Sequence, residues 1–124
     1  MSDKLSYTIT NKMCMTRDVG THGSLFGGNM MAWMDEAAAI FARKYTGETH
    51  VVTLRFGEIV FKHPVKVGQI IEFTACDPTI GKTSITFDLA GIVDQAIVIK
   101  TSCTFVALDE KGVPKPVKRA VAFE

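Results

Sequence analysis

The sequence predicts an α+β domain in which one long helix is wrapped by a curved antiparallel sheet of five or so strands. Three observations lead there. Residues 26–45 are rich in Ala and Met, a composition that favours helix. From residue 51 onward the apolar residues recur with a period of two, in four successive segments. The links between those segments are short and carry turn formers, which predicts an antiparallel meander.

A weaker strand signal over residues 7–15 comes first. The helix opens on Gly27-Gly28 and stops at Tyr45-Thr46-Gly47, where Gly47 suits a left-handed cap and Arg43 and Lys44 occupy the last turn. Met30, Met31, Trp33, Met34, Ala37, Ile40 and Phe41 go nearly all the way round the helical wheel, so the helix is expected to be buried. Residues 51–61 read as one strand, with Val52, Leu54, Phe56 and Val60 on one side. Residues 69–77 place Ile71, Phe73 and Ala75 together; residues 83–93 place Ile85, Phe87, Leu89 and Val93 together. Residues 96–107 do the same with Ile97, Ile99, Cys103 and Phe105. The turn signals are His63-Pro64, Pro78 with Gly81, and Asp94-Gln95. Val51, Ile59 and Phe61 fall on the other sheet face, which predicts cover from a second copy, at least a homodimer.

At 124 residues the chain fits one domain, residues 1–124, with enough length for a core without staples. Apolar residues at 47% exclude a disordered chain. A net charge of +1, from 14 basic and 13 acidic residues, calls for neither nucleic acid nor an anionic membrane. Residues 1–4 lead into no apolar leader, and no run reaches the roughly 18 apolar residues of a membrane span, so a cytoplasmic protein is expected. Cys14, Cys76 and Cys103 are odd in number and far apart, which fits buried thiols rather than a disulfide framework. His50 and His63 have no ligand spacing with carboxylates or cysteines, so no metal is expected.

The polar residues of the helix point to chemistry. Asn29, Glu36 and Arg43 are seven apart and form one narrow stripe, which a solvated or salt-bridged edge explains. Asp35 lies about 100° from Glu36, among Met31, Ala32, Ala38, Ala39 and Ala42. A carboxylate on an alanine-rich face is either a hydrogen-bonded fastener or a general base. The loop His22-Gly23-Ser24-Leu25-Phe26-Gly27-Gly28 runs straight into the helix, whose first turn has free N–H groups and a positive dipole. It is equally readable as a tight, plain loop. Gly28 and Asp35 are seven residues apart, about 10.5 Å of rise, too far for one carbonyl carbon to touch both. Two antiparallel helices at a dimer interface remove that difficulty and make the site shared.

The stretch from Asp18 to Ala37 resembles the signature of hotdog-fold acyl-CoA thioesterases, of the bacterial short-chain and brain acyl-CoA hydrolase branch. Gly23, Gly27-Gly28 and Met34-Asp35-Glu36 carry it. It continues through Val51-Val52-Thr53, Phe61, Pro64-Val65-Lys66-Val67-Gly68 and Gly81-Lys82-Thr83-Ser84, covering residues 8–108. The resemblance implies a helix wrapped by a sheet and paired subunits, often as a trimer of dimers. It implies Asp35 as base or nucleophile in thioester hydrolysis, and Gly27 and Gly28 as the oxyanion site. It implies coenzyme A, as part of the substrate, near residues 81–84, with no separate cofactor. The substrate-binding set is then His22, Gly23, Phe26, Thr53, Arg55, Phe61, Lys82, Thr83 and Ser84. One departure is Gly20, where related enzymes carry Asn; His22 is the candidate to take over.

Lys62, Lys66, Lys82, Lys111, Lys115, Lys118 and Arg119 are candidate partners for coenzyme A phosphates, Lys82 first because of its turn. Ser24 lacks the G-x-S-x-G turn of a nucleophilic serine, and no base is placed for the cysteines. Two other functions stay open: an acyl-CoA-binding dimer without turnover, which Gly20 keeps in view, and a hydroxyacyl-thioester dehydratase, whose His-containing motif is not visible.

Overall fold

The computed structural model of the protein describes residues 6–118; the expectations for residues 1–4 and for Arg119 lie outside the described residues. The elements follow in order as β1 (Ser6–Met13), a short 3-10 turn (Thr16–Asp18), α1 (Gly27–Thr46), β2 (Val51–Phe56), β3 (Val60–Phe61), β4 (Ile70–Ile80), β5 (Ser84–Val93) and β6 (Ala96–Ala107). The strands form one antiparallel sheet in the order β1-β4-β5-β6-β2, with β3 also paired to β6. The meander expected from residue 51 onward therefore holds only for β4-β5-β6. The 20-residue helix, about 30 Å long, carries the chain across one sheet face from edge strand β1 to edge strand β2.

Helix α1 ends as its sequence predicts. Gly47 sits at φ 76°, in the left-handed region, and its N–H donates to the Arg43 carbonyl at 2.8 Å. The β5–β6 link is a two-residue hairpin, Asp94-Gln95, with φ 49° and 71°; both signs fit the primed turn that matches strand twist.

The single strand expected over 51–61 is broken at Gly57. Its N–H donates to the Ser102 carbonyl at 2.7 Å, and a Cβ there would lie 2.7 Å from Ser102 Oγ, so a larger residue requires that hydroxyl to rotate away. A second irregularity, between Thr53 and Arg55, shifts the β2–β6 register. Val51, Thr53 and Phe56 consequently oppose Ala107, Phe105 and Cys103, whose side chains are buried, while Val52 and Leu54 are exposed. This inverts the expected inward set of Val52 and Leu54. In β4, Pro78 lies within the strand at a bulge between Cys76 and Thr79, so the strand runs on to Ile80 instead of stopping near residue 77.

The core lies between α1 and the sheet. Phe41 and Met34 from the helix meet Phe73, Phe87, Phe105, Ile71, Ile85, Leu89 and Ile99, all fully buried. Ring centroids are 4.8 Å apart for Phe41–Phe87 and 5.3 Å for Tyr7–Phe41. Each such side chain contributes about 1.5–3 kcal/mol on burial. The helix is not buried all round, as its apolar wheel had predicted. Met31, Ala32, Asp35 and Glu36 face outward, with Met31 at 46% exposure. Glu36 pairs with Lys12 at 3.1 Å, which accounts for part of the polar stripe.

Candidate active site

Asp35 stands on the exposed face of α1, one side chain away from β2. The bulge turns Thr53 toward the helix, and its Oγ1 donates to Asp35 Oδ1 at 2.7 Å. One carboxylate oxygen is thus held by a charge-assisted bond, and the other is left to act. Arg55, two residues on, opposes Thr104 on the face away from the helix; its Nη1 lies 3.5 Å from Thr104 Oγ1. Thr53 and Arg55, placed together by sequence, are therefore on opposite faces.

The helix begins at Gly27. The Phe26 carbonyl accepts from Asn29 and Met30 N–H at 3.0 and 3.1 Å, leaving the Gly27 and Gly28 amides without a backbone partner among the described residues. Their direction is that of the helix dipole, so they suit a developing negative oxygen. Residues 20–24 form a tight loop, with Gly20 N–H donating to the Ser24 carbonyl at 2.9 Å, and Gly23 occupying φ 79°. His22 is exposed at its tip and lines a cleft of about 350 Å³ with Phe26 and Gly27.

Asp18 anchors this loop, a role the sequence alone does not reveal because its partners are three to eleven residues away without a periodic pattern. Its carbonyl accepts from Phe26 N–H at 3.0 Å and from Asn29 Nδ2 at 2.9 Å; its carboxylate accepts from Met15 N–H at 2.8 Å. Asn29, which its spacing places on a solvated or salt-bridged edge, is a loop fastener. Lys66 Nζ donates to Ser24 Oγ at 2.9 Å, a second tie.

Gly20 has a structural explanation. The Phe26 ring lies over both Gly20 and Gly28: a Cβ at position 20 would be 3.3 Å from Cδ1, and one at position 28 would be 2.8 Å from Cε2. A side chain at position 20 requires that exposed ring to give by a few tenths of an ångström. Phe61 packs against Gly27 from the other side, 3.7 Å from a hypothetical Cβ.

Lys82, Thr83 and Ser84 lie at the opposite end of the sheet. Ser84 pairs with Val106 of β6, whereas Phe61 pairs with Ile99. Seven residues of strand, about 23 Å, separate those positions, so one chain does not bring the 81–84 turn to the helix start. That turn is joined to the C-terminal segment, where Val117 N–H donates to the Lys82 carbonyl at 3.0 Å.

The two buried thiols, Cys14 and Cys103, offer no nucleophile. Burial, then Asp35 and Asp88, push Cys103 up to about 12 against a weaker opposing effect of Arg55. Burial, then Asp18, also raises Cys14. Both stay protonated near neutrality.

Residues 22–100 match the Thioesterase superfamily. An uncharacterized acyl-CoA thioester hydrolase of Buchnera aphidicola is 30% identical over 116 residues, 86% of this chain and 85% of that protein. The acyl-CoA hydrolase of Staphylococcus aureus, solved with butyryl coenzyme A and coenzyme A, superposes with a TM-score of 0.79 at 32% identity, over 98% of this chain and 73% of that one. A hexameric hotdog-fold thioesterase of Campylobacter jejuni superposes with a TM-score of 0.81 at 27% identity, over 90% of both chains. No helix among the described residues is long and apolar enough to cross a membrane. The chain has the hotdog fold and belongs to the Thioesterase superfamily.

Proposed function

We propose that this protein hydrolyses acyl-CoA thioesters to the free acid and coenzyme A. The observation that carries the reading is the exposed helical carboxylate of Asp35, held at 2.7 Å by the Thr53 hydroxyl, on a helix whose first two amides have no backbone partner among the described residues. Asp35 acts as the general base. Its free oxygen takes a proton from water as that water attacks the thioester carbonyl carbon. The Gly27 and Gly28 N–H groups receive the carbonyl oxygen as it gains negative charge. The C–S bond then breaks, and the thiolate leaves without needing a strong acid. Direct attack by Asp35, through an anhydride, is the alternative path; transfer of labelled oxygen from water into the enzyme in a single turnover distinguishes it.

The active site is shared between two copies. Asp35 lies about 10.5 Å along the helix from Gly28, so the amides of one chain serve the carboxylate of another across antiparallel helices. Exposed Met31 and Leu54, at 46% and 62%, flank Asp35 and Thr53 and supply an apolar surface for that pairing. The 81–84 turn then meets coenzyme A in the assembled protein, which we read as a trimer of dimers. Hexameric relatives support this reading.

Thiol release from a panel of acyl-CoAs, for wild type beside Asp35→Ala, tests the proposal. Wild type is expected to turn over part of the panel. The folded variant is expected to lose on the order of a hundredfold or more in rate. Wild type that binds coenzyme A but hydrolyses nothing supports the second reading, a binding dimer, which Gly20 favours.

A further inference from the structure

Helix α1 starts without the usual devices. Phe26 stands at the N-cap position and offers no side-chain hydrogen bond, and the first turn holds no acidic residue. Two consecutive glycines follow, the residue type whose backbone is least constrained, so the direction of their N–H bonds depends on what holds their neighbours. Both neighbours are tied to one oxygen. The Asp18 carbonyl accepts from Phe26 N–H at 3.0 Å and from Asn29 Nδ2 at 2.9 Å, so the glycine pair lies between two donors that share an acceptor. A carbonyl only accepts, which identifies the Asn29 atom facing it as the amide nitrogen. The acceptor is itself fixed: Asp18 N–H donates to the Met15 carbonyl at 2.9 Å, and the Asp18 carboxylate accepts from Met15 N–H at 2.8 Å. A side chain at the third helical position ordinarily reaches back to the N-cap N–H. Here that N–H is already engaged, and Asn29 joins it on the same carbonyl. Asn29 is not among the residues that carry the family resemblance.

We propose that Asn29 is a positioning residue for thioester hydrolysis. Its side chain fixes the chain where it leaves the glycine pair, as Phe26 N–H fixes it on entry, and the two ties together aim the Gly27 and Gly28 amides at the reacting oxygen. This rests on the thioesterase reading and deepens it. The amides meet the full negative charge only in the transition state, so loosening them slows the chemical step and leaves ground-state binding nearly unchanged. Asn29 itself touches neither substrate nor water in this scheme; it acts through the backbone of its two predecessors.

The test is kcat and KM by thiol release for wild type, Asn29→Ala and Asn29→Leu, with Tm measured beside them. Both variants lack the donor and add no charge. Asn29→Leu nearly keeps the shape of the side chain and is the better helix former, so it serves if Asn29→Ala does not fold. In each, kcat is expected to fall about threefold to tenfold, the fold-change of one neutral hydrogen bond, with KM within about twofold of wild type. A kcat within about twofold of wild type, or a loss carried by KM, overturns the proposal. An Asn29 that serves stability alone gives wild-type kcat with a lowered Tm, which overturns it as well. The amides are read directly by backbone relaxation of protein carrying isotope-labelled glycine. In the variants the order parameters of Gly27 and Gly28 are expected to fall from about 0.85 toward 0.6, while that of Gly47, at the other end of the helix, holds. Unchanged values at Gly27 and Gly28 overturn the proposal. If wild type hydrolyses no acyl-CoA, the thioesterase reading fails by itself, and the order parameters then decide whether Asn29 holds the two amides.

Discussion

Replacing Thr53 by Val removes a single proton donor and keeps the shape of the side chain. The hydroxyl donates to Asp35 Oδ1 at 2.7 Å, a distance typical of a bond to an ionised acceptor. Such bonds contribute about 1.5–3 kcal/mol. If that free energy holds the carboxylate in its reactive orientation, its loss corresponds to about tenfold to a hundredfold in kcat. Thr53 is exposed in the chain, so the unfolding free energy is expected to move by no more than about 0.5 kcal/mol. The assay is thiol release under saturating acyl-CoA, with urea unfolding measured beside it. Thr53→Ser restores the donor and is expected to stay within about threefold of wild type, since it keeps the bond. Two results refute the reasoning. Thr53→Val at the wild-type rate means that the bond does not position Asp35. Thr53→Ser failing as badly as Thr53→Val means that the methyl group, not the hydroxyl, matters.

Two further predictions concern stability. Gly47→Ala forces a Cβ into a residue at φ 76° and is expected to cost about 1 kcal/mol, seen as a drop of a few degrees in Tm by calorimetry. Cys103 binds its proton far more tightly when folded, with a pKa of about 12 against 9.0 for a free thiol. Between those values the unfolded chain releases the proton and the folded chain retains it. Cys103 therefore stabilises fully below pH 9, and its contribution is lost as pH rises toward 12, with a slope of up to about 1.4 kcal/mol per pH unit. Urea unfolding from pH 8 to 11 is expected to show a steeper decline for wild type than for Cys103→Ala.

The elements that were legible in the sequence are those whose signal is local. Helix α1 and its cap at Gly47 follow from composition and one left-handed residue, and Ile85, Phe87, Leu89 and Val93 alternate in β5 as their spacing requires. What was not legible depends on distant backbone. Nothing near Gly57 announces that Ser102 will stand against it, yet that contact ends the strand read over 51–61. The bulge beside Leu54 flips the inward set of β2, and a shift of one residue moves a whole strand's side chains to the other face. That same bulge aims Thr53 at Asp35. The exposed face of α1 misled for another reason: Met31 and Ala32 are apolar without being core residues of the single chain.

Asp18 has a consequence for how the helix start fluctuates. One residue's carbonyl and carboxylate together hold Met15, Phe26 and Asn29. These three bonds converge on one residue, so thermal opening of the segment from 15 to 29 is expected to be cooperative rather than piecemeal. The glycine amides and the His22 loop therefore belong to one opening unit, which Val19 and Leu25 join to the core. A site organised in this way alternates between fully assembled and fully released, and substrate binding that favours the assembled form tightens all of it at once.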